Sequence, residues 1–537
     1  MNNSLNSTQR IKNLDKASKD NFDLIVIGGG ITGSGIAFDA ATRGMKVLLL
    51  EKQDFAAGTS SRSTKLIHGG LRYLKELEFN LVRQVGKERA VLYKNASYLV
   101  HPEKLLLPIY KSGNLGYYST SLALWVYDLL AGVQKKESRI MLSAKKTHNT
   151  EPLLSKDGLL GAGMYYEYRT DDARLTIEVL KTAVSYGAQA YNYTQVTDFI
   201  VNNGQISGVE ATDLINKSSR KYSAKYVVNA TGPWVDELRK KNSEDLHKHL
   251  FLTKGVHLVF SQDRIPLKHS MYFDTPDGRM VFAIKREGKV YLGTTDTEYH
   301  ANKENPVCTK EDKEYILNAA NTMFRSLNLQ LADIESSWAG LRPLIHEQGK
   351  SPSEVSRKDE IFTANNGLIS IAGGKLTAFR RMAQRIIDKI ETTEKRFGSC
   401  KTAHIPLVGS VGLEVKGYKT LIEKLNVYTS KFQKQKNLIR LVHSYGNASF
   451  EMMDNATDDL SLIYTEIKYC VENESLEHLV DYYSRRSGKV LFASDELLET
   501  QSEILAHFSM LKGLSETQIS KEKELIEQLK MDALGSS

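Results

Sequence analysis

A glycine-rich stretch, residues 22–51, constrains the fold of this chain more than any other part of its sequence. It begins with a short apolar run, residues 24–27, that is typical of a buried strand. A helical pattern follows, and a second apolar run then ends at Glu51. Between the first strand and the helix stand three glycines with G-x-G-x-x-G spacing: Gly28, Gly30 and Gly33. This order predicts one complete βαβ unit.

Each part of the unit has a physical role in holding a dinucleotide. Gly28 allows a sharp turn out of the strand, and Gly30 leaves room for a pyrophosphate to approach the backbone. Gly33 lets the helix lie close to the sheet, with its N-terminal N–H groups facing the phosphates. Glu51 ends the second strand, where an acid accepts ribose hydroxyl groups. A bound dinucleotide therefore explains the stretch better than a purely structural turn.

Charge and cysteine content narrow the class of protein. The 537 residues carry a net charge of +8, which suits an anionic substrate or an anionic membrane surface but not a dedicated nucleic-acid binder. The three cysteines lie far apart and form no C-x-x-C pair. Neither a disulfide framework nor a metal site is expected, and a reducing cytoplasm fits.

The pattern along the chain predicts three parts. Residues 1–20 are polar, lack the apolar core of a secretory signal, and are expected to form a flexible extension. Residues 21–397 are expected to hold the nucleotide-binding domain, interleaved with a substrate domain at roughly 76–170 and 250–360. Residues 398–537 have a helical pattern and predict a separate helical domain. No run is long enough to be a membrane span.

Two further strands lead into glycine turns. The run 222–228 continues into Ala230, Thr231 and Gly232, where small residues let the backbone pass close to a cofactor. The run 368–372 ends at Gly373-Gly374 before a helix, which again predicts a turn that cradles a phosphate or a ring. Residues 54–73, rich in hydroxyl groups and glycine, follow directly after Glu51 and are expected to wrap the same ligand.

The most apolar helical stretch is residues 115–133, which mix leucine and valine with tyrosine and tryptophan. We expect a buried packing helix there; a membrane-facing helix is the alternative. An amphipathic helix is expected at residues 76–98.

The chain has one nucleotide fingerprint, and residues 251–295 predict an antiparallel sheet of a different kind. An enzyme that passes hydride between nicotinamide and flavin usually needs two nucleotide sites. One site beside an antiparallel sheet favours a tightly held FAD that oxidises a small molecule and is reoxidised elsewhere.

Eight ordered motifs now carry a family resemblance. They are IGGGITGSGIAFDAATRG, GTSSRSTKLIHGGLRYL, DDARL, VNATGPW, KGVHLV, GTTDTEY, WAGLRPL and AGGKLTAFR, between about residues 22 and 382. The chain resembles the FAD-dependent glycerol-3-phosphate dehydrogenases. The resemblance implies an α/β (α+β) fold: a Rossmann-like FAD-binding domain, an interleaved antiparallel-sheet substrate domain and a C-terminal all-α domain. It also implies oxidation of sn-glycerol 3-phosphate to dihydroxyacetone phosphate, with a membrane quinone or, in the oxidase branch, oxygen as the electron acceptor.

The resemblance also implies which residues form the site. Arg72, Tyr73 and Arg357 are expected to hold the phosphate, with Arg342 and Lys375 nearer the reacting carbon and the flavin. Arginine forks match phosphate geometry, which supports a shared anion site. The expected FAD-binding residues are Gly28, Gly30, Thr32, Gly33, Glu51, Lys52, Thr59, Ser60, Ser61, Lys65, Leu66, His68, Gly69, Gly70, Val196, Ala230, Thr231, Gly232, Gly373, Gly374, Leu376 and Thr377.

Loss of hydride from C2 requires a base for the hydroxyl proton, and His257 and His68 are both candidates. Lys375, or the backbone after Gly374, is expected to stabilise the reduced flavin.

Alternatives stay open at this point: a glycerol-3-phosphate oxidase, a related flavin amine oxidase, or a non-enzymatic or RNA-modifying flavoprotein. In the family that this chain resembles, the oxidase branch carries an extra insertion before its C-terminal region. This sequence has no such long polar insertion, so the resemblance implies a quinone rather than oxygen as acceptor. We also expect a peripheral position on the inner face of the cell membrane. A homodimer is one open oligomeric state.

Overall fold

The computed structural model describes residues 4–69, 78–133, 135–243, 246–347, 358–413 and 417–535. Its strands are β1 (Asn21–Ile27), β2 (Val47–Leu50), β3 (Leu66–Ile67), β4 (His101–Tyr110), β5 (Ile140–Ser143), β6 (Leu159–Arg169), β7 (Gln189–Tyr191), β8 (Thr194–Asn202), β9 (Gln205–Asp213), β10 (Ser218–Asn229), β11 (Lys248–Ser261), β12 (Ser270–Asp274), β13 (Met280–Arg286), β14 (Lys289–Gly293), β15 (Thr297–Glu298), β16 (Ser336–Glu347), β17 (Glu360–Thr363) and β18 (Ile369–Ala372).

Helices fill most of the remaining chain. They are α1 (Arg10–Ala17), α2 (Ile31–Thr42), α3 (Phe79–Asn95), α4 (Tyr117–Ala131), α5 (Ala144–Thr150), α6 (Asp172–Ser185), α7 (Val235–Lys241), α8 (Lys310–Met323), α9 (Phe379–Glu394), α10 (Gly417–Lys424), α11 (Gln435–Tyr445), α12 (Ala448–Asp454), α13 (Asp459–Asn473), α14 (Leu479–Asp481), α15 (Lys489–Phe492), α16 (Ser494–Lys512) and α17 (Glu516–Leu534).

The first sheet contains the predicted βαβ unit. Its strand order is β17-β18-β10-β1-β2-β7, and β8 and β9 extend it beside β10. Strands β1, β2, β7, β10 and β18 pair in parallel. Their carboxyl ends therefore meet at one edge, which is where open α/β sheets bind ligands.

Helix α2 covers one face of this sheet and packs against α6 and α9. Gly35 of α2 faces the Phe379 ring, and an added Cβ would lie 2.7 Å from that ring. The strands beneath, such as residues 24–27, are almost completely buried, as expected for a covered parallel sheet.

The second sheet has the order β15-β11-β14-β13-β12-β4-β6-β3, with β16 beside β11 and β5 beside β6. Most of its pairs are antiparallel, and β11 and β16 pair over twelve residues from Lys248–Glu347 to Val259–Ser336. The expected architecture is confirmed: two mixed sheets with helices, followed by a C-terminal helical region.

The N-terminal residues correct one prediction. Residues 4–20 do not form a loose extension, because α1 packs against the first sheet with Leu14 fully buried. Arg10 donates to Asp213 at 3.1 Å and to the carbonyl of Asn192 at 2.5 Å. The polar sequence of this segment gives no sign of the contact, because the partners of Arg10 lie about 200 residues further along the chain.

Helix α4 corrects a second prediction, since only one side of it is buried. Leu124 and Tyr127 point inward and are fully buried, whereas Trp125 and Leu129 are 53% and 68% exposed. No helix in the described part of the chain is long and apolar enough to cross a membrane.

The C-terminal helices are joined to the first sheet by buried charges. Arg174 of α6 binds Glu474, which follows α13, with Nη1–Oε2 and Nη2–Oε1 distances of 2.7 and 2.9 Å. Lys181 binds the same carboxylate at 3.0 Å. The C-terminal region is therefore fixed against the nucleotide-binding part by paired, desolvated groups.

Candidate active site

A cavity of about 250 Å³ lies at the carboxyl edge of the first sheet. The predicted fingerprint forms one wall, through Gly28, Gly30 and Glu51, and two later strand ends form the other. The predicted cofactor residues that line this cavity are Gly28, Gly30, Thr32, Glu51, Lys52, Thr59, Ser60, Val196, Ala230, Thr231, Gly232, Gly373, Gly374 and Leu376.

The fingerprint needs glycine because neighbouring atoms lie too close to these positions for a side chain. Gly28 has φ +111°, and a Cβ there would lie 2.6 Å from the carbonyl oxygen of Ala230. A Cβ on Gly33 would lie 1.9 Å from the carbonyl oxygen of Gly28. Gly30 faces Ser60, whose Oγ accepts a hydrogen bond from the Ile31 N–H at 2.9 Å. The sequence therefore keeps α2 tight on the strand and its first turn open to a ligand.

Glu51 is held in place by the backbone of the same loop. Its carboxylate accepts hydrogen bonds from the N–H groups of Gly29 and Gln53, both at 2.7 Å. Burial raises the pKa of Glu51, and these two N–H groups oppose that rise. The carboxylate is a fixed acceptor at the position expected for ribose hydroxyls.

The opposite wall carries the second glycine pair. Gly373 and Gly374 have φ +74° and +84°, a region that favours glycine. A Cβ on Gly373 would lie 2.6 Å from the carbonyl oxygen of Lys358, and one on Gly374 would lie 2.6 Å from the sulfur of Met382. The turn leaves bare backbone facing the cavity.

A second cavity, of about 550 Å³, lies between this turn and the second sheet. His68, His257, Arg342 and Lys375 all line it. The two cavities share six residues: Thr59, Ser63, Pro343, Gly374, Lys375 and Leu376. The four residues predicted to be catalytic are thus brought together beside the nucleotide cavity. The predicted cofactor residues Leu66 and Thr377 also line the second cavity.

Arg342 is positioned by the loop after β14. Its guanidinium donates to the carbonyl of Thr295 at 3.0 Å and to the hydroxyl of Thr294 at 2.8 Å. It also pairs with Asp296 at 3.3 Å, and its side chain is 28% exposed. The fork is pre-oriented, and one carboxylate partly balances its charge.

His257 is a buried, neutral imidazole. Its ring stacks on Trp338 with a centroid distance of 4.5 Å, and Nε2 lies 3.0 Å from the hydroxyl of Thr64. Burial, with Arg342 and Lys65 nearby, lowers the pKa of His257 well below its ordinary value. Among the described residues, no hydrogen-bond partner faces its buried Nδ1. A neutral imidazole has one ring nitrogen whose lone pair can accept a proton.

His68 enters the same cavity from the loop after β3. Its carbonyl accepts a hydrogen bond from the hydroxyl of Thr377 at 3.3 Å, which ties this loop to the glycine turn. Its ring meets the edge of Phe282 at a centroid distance of 6.1 Å. The structure thus places both candidate bases in one cavity.

Several predicted residues lie elsewhere. The ammonium group of Lys65 is bound by Asp172 at 2.5 Å and by the carbonyl of Ser61 at 3.0 Å, so its side chain is occupied. The N–H of Gly69 donates to Tyr127 and Glu167, and Gly33 serves helix packing rather than the cavity wall. Lys65, Ser61, Gly33 and Gly69 line neither cavity.

Four predicted residues, Gly70, Arg72, Tyr73 and Arg357, lie outside the described residues. Their expected roles in holding the cofactor and the phosphate remain predictions.

Sequence reasoning missed the groups that orient the site. Trp338 supports His257, Thr64 bonds it, and Asp296 pairs with Arg342. These residues lie within the motifs that carry the family resemblance, but the motifs give no role to them individually. The signal that could have found Asp296 is an acid within a Thr-Thr-Asp-Thr loop that follows a strand.

The residues present fit a flavin dinucleotide. The first cavity offers a helix N-terminus, an acid at the end of the second strand and two glycine walls. Its shared wall with the second cavity would let the redox end of such a ligand face Arg342, Lys375 and His257. No second G-x-G-x-x-G fingerprint is present in the sequence.

Comparison with known families agrees with this geometry. A family described as FAD dependent oxidoreductase matches residues 23–380, and one described as the C-terminal domain of alpha-glycerophosphate oxidase matches residues 400–519. The chain belongs to the FAD-dependent oxidoreductases, and the expected cofactor, FAD, is confirmed.

Similar proteins narrow the class. The chain is 48% identical to aerobic glycerol-3-phosphate dehydrogenase of Bacillus subtilis (strain 168), over 99% of each chain. It is 47% identical to the enzyme of the same name from Staphylococcus haemolyticus, over 93% of this chain and 92% of that one. The solved structure of glycerol-3-phosphate dehydrogenase from Bacillus halodurans, complexed with FAD, is 40% identical with a TM-score of 0.85, covering 99% of this chain and 98% of that chain. The expected resemblance to the FAD-dependent glycerol-3-phosphate dehydrogenases is confirmed.

Proposed function

We propose that this enzyme oxidises sn-glycerol 3-phosphate to dihydroxyacetone phosphate and passes the electrons to a membrane quinone. The relatives that cover nearly the whole chain are glycerol-3-phosphate dehydrogenases, which supports this substrate. The observation that carries the proposal is the second cavity, where Arg342, Lys375 and His257 meet beside the nucleotide site.

The cations of this cavity suit a small anionic substrate. Arg342 presents a fork already oriented by Thr294, Thr295 and Asp296, and such a fork suits a phosphate or an oxygen that gains negative charge. Lys375 lines both cavities, so it can contact the substrate and the redox end of the cofactor together. Arg72, Tyr73 and Arg357 complete the proposed phosphate site.

The reaction removes a hydride from C2 and a proton from its hydroxyl group, and leaves a ketone. FAD, when bound, accepts the hydride. His257 takes the hydroxyl proton in this proposal, because it is neutral, faces the cavity and is held rigidly between Trp338 and Thr64. Protonation there places a new cation near Arg342, and the negative charge of the bound phosphate offsets it.

The proposed electron acceptor is a quinone in the inner face of the cell membrane. The net charge of +8 favours an anionic leaflet, to which each basic residue near the surface adds about 1 kcal/mol. A second candidate acceptor is oxygen, favoured by one observation: residues 400–519 match the C-terminal domain described for alpha-glycerophosphate oxidase.

A substrate panel with an artificial dye acceptor tests the proposal. We expect sn-glycerol 3-phosphate to reduce the dye rapidly, and glycerol, glycine derivatives and D-amino acids to have little effect. Turnover of an amine substrate without turnover of glycerol 3-phosphate would make this a flavin amine oxidase.

A further inference from the structure

One face of the substrate region is both apolar and basic. Helix α4 turns a continuous stripe outward at i, i+4, i+7 and i+11 spacing, on the side opposite its buried residues. The stripe consists of Tyr118, Leu122, Trp125 and Leu129, which are 86%, 61%, 53% and 68% exposed.

The neighbours of this helix extend the apolar surface. Phe79, at the start of α3, and Ile140, on β5, are 45% and 50% exposed. Helix α3 packs closely on α4, since a Cβ on Gly86 would lie 2.4 Å from Cα of Ala131. Strand β5 lies on the other flank, where Met141 and Leu124 both approach Gly163. Such an apolar patch on an otherwise water-soluble surface indicates an interaction site.

The exposed charges of the sequence segment that carries the stripe have one sign. Between residues 79 and 150, the described side chains that are both charged and exposed are all basic: Arg83, Lys87, Lys94, Lys111, Lys135, Lys145 and Lys146.

The acids of the same segment are withdrawn from solvent. Glu88, Glu103, Asp128 and Glu137 are buried or half-buried. Glu88 binds Arg380 and Glu137 accepts from Tyr168, while Asp128 accepts from the N–H of Arg139. The segment therefore exposes basic side chains together with tryptophan, tyrosine and leucine, a composition that suits a membrane interface.

We propose that this surface, which we call the α4 face, docks the enzyme on an anionic lipid bilayer. The inference rests on the proposed membrane location and identifies the part of the chain responsible. Charge complementarity decides the occupant: lipid headgroups are anionic, whereas the same face of a second copy would bring like charges together.

The inner side of α4, opposite the α4 face, adjoins the active-site cavity. Leu115, two residues before α4, lines that cavity together with Met280 and Phe282. On the inner side of the helix, the hydroxyl of Tyr127 donates to Glu167 at 2.8 Å, and Glu167 lines the same cavity. Docking on this face would bring the cavity to within about one helix diameter, ~10 Å, of the bilayer that contains the quinone.

Vesicle binding by full-length, FAD-loaded enzyme tests the proposal. We expect sedimentation with phosphatidylcholine vesicles that contain phosphatidylglycerol, and weaker binding when phosphatidylglycerol is left out or salt is raised. The double variant Leu122→Ser/Leu129→Ser should lower the partition coefficient by about tenfold or more, because two leucines leave the apolar layer. Lys145→Glu/Lys146→Glu should weaken binding only to the anionic vesicles.

A matched control uses two exposed apolar residues of the C-terminal region. Val427→Ser/Leu498→Ser removes side chains that are 76% and 49% exposed and should leave vesicle binding unchanged. Equal loss in the control and the α4 variant would overturn the assignment. So would a wild-type dimer that the α4 variant turns into a monomer with vesicle binding intact, since the face would then be a protein interface.

Dye-linked oxidation of glycerol 3-phosphate in solution separates this inference from the proposed function. All variants should keep that activity, because none of the substituted residues lines the cavity. If the wild type lacks it, the proposed function fails whatever the vesicles show. If activity is normal and the α4 variant binds vesicles like the wild type, the docking surface alone is wrong.

Discussion

Arg486 donates hydrogen bonds to both carboxylate oxygens of Asp54, although 432 positions separate the two residues. Nη2 lies 2.9 Å from Oδ1, and Nη1 donates to Oδ2. Both side chains are fully buried. Asp54 follows the loop of Glu51, and Arg486 lies just after α14, so one ion pair joins the nucleotide site to the C-terminal helices.

Removing one partner of this pair should be costly. We expect Arg486→Met to lower the free energy of unfolding by about 3–5 kcal/mol, because it leaves a buried carboxylate without its strongest partner. Thermal unfolding with and without FAD measures the change. Lys521→Met is the matched control: its pair with Glu524 is exposed, so the expected loss is below about 1 kcal/mol. Equal losses would show that the buried pair has no special role.

The same pair predicts a pH dependence. Burial opposes ionisation of Asp54, but Arg486 and Arg485 outweigh it and lower the pKa from 3.8 to about 2. Because the folded-state pKa is depressed, the stabilisation is complete above about pH 4 and is lost as the pH falls towards 2. The stability difference between wild type and Asp54→Asn should therefore shrink by about 2 kcal/mol across that window. A difference that stays constant with pH would contradict the assigned ionisation.

Gly30→Val should abolish FAD retention. A Cβ at this position would lie 3.1 Å from Oγ of Ser60, and the two methyl groups of valine would fill the space in front of the α2 N-terminus. Flavin absorbance per mole of purified protein measures the effect. Gly44→Asn is the control, since nothing lies within 4 Å of an added Cβ there and asparagine tolerates positive φ. Full flavin content in Gly30→Val would show that the pyrophosphate does not bind at this turn.

Arg342→Ala should weaken the apparent affinity for glycerol 3-phosphate with little loss of flavin. A charge-assisted hydrogen bond contributes about 1.5–3 kcal/mol, so affinity should fall tenfold or more. Steady-state kinetics with a dye acceptor provide the measurement. Arg325→Ala, at an exposed position paired only with Asp157 in the described structure, is the control. An unchanged KM and kcat would place Arg342 outside the substrate site.

The sequence predicts those parts of the fold whose interacting residues lie close together in the chain. The stretch 22–51 contains its strand, glycines, helix and acid within thirty residues, and the structure folds it as predicted. The Asn203-Gly204 pair is a hairpin signal of the same local kind: both residues have positive φ, and they join β8 to β9. Local pattern is enough where the partners are close in the chain.

Contacts between residues far apart in the chain could not be predicted from the sequence. Lys65 belongs to the segment expected to wrap the cofactor, yet its ammonium group binds Asp172, which lies 107 residues further along the chain. The outward stripe of α4 depends on which side the second sheet covers, and that choice is made by Leu124 and Tyr127 packing on residues distant in sequence. Apolar content alone could not distinguish a helix with one buried side from a fully buried one.

In the proposed reaction, glycerol 3-phosphate reduces the bound FAD and a quinone reoxidises it. Anaerobic stopped-flow mixing with sn-glycerol 3-phosphate, followed by mixing with a soluble quinone or with air-saturated buffer, measures both halves through the flavin absorbance. We expect rapid bleaching by the substrate, reoxidation by the quinone at least as fast as turnover, and slow reoxidation by oxygen. Failure of glycerol 3-phosphate to bleach the flavin would contradict the account, and reoxidation by oxygen at the turnover rate would make the enzyme an oxidase.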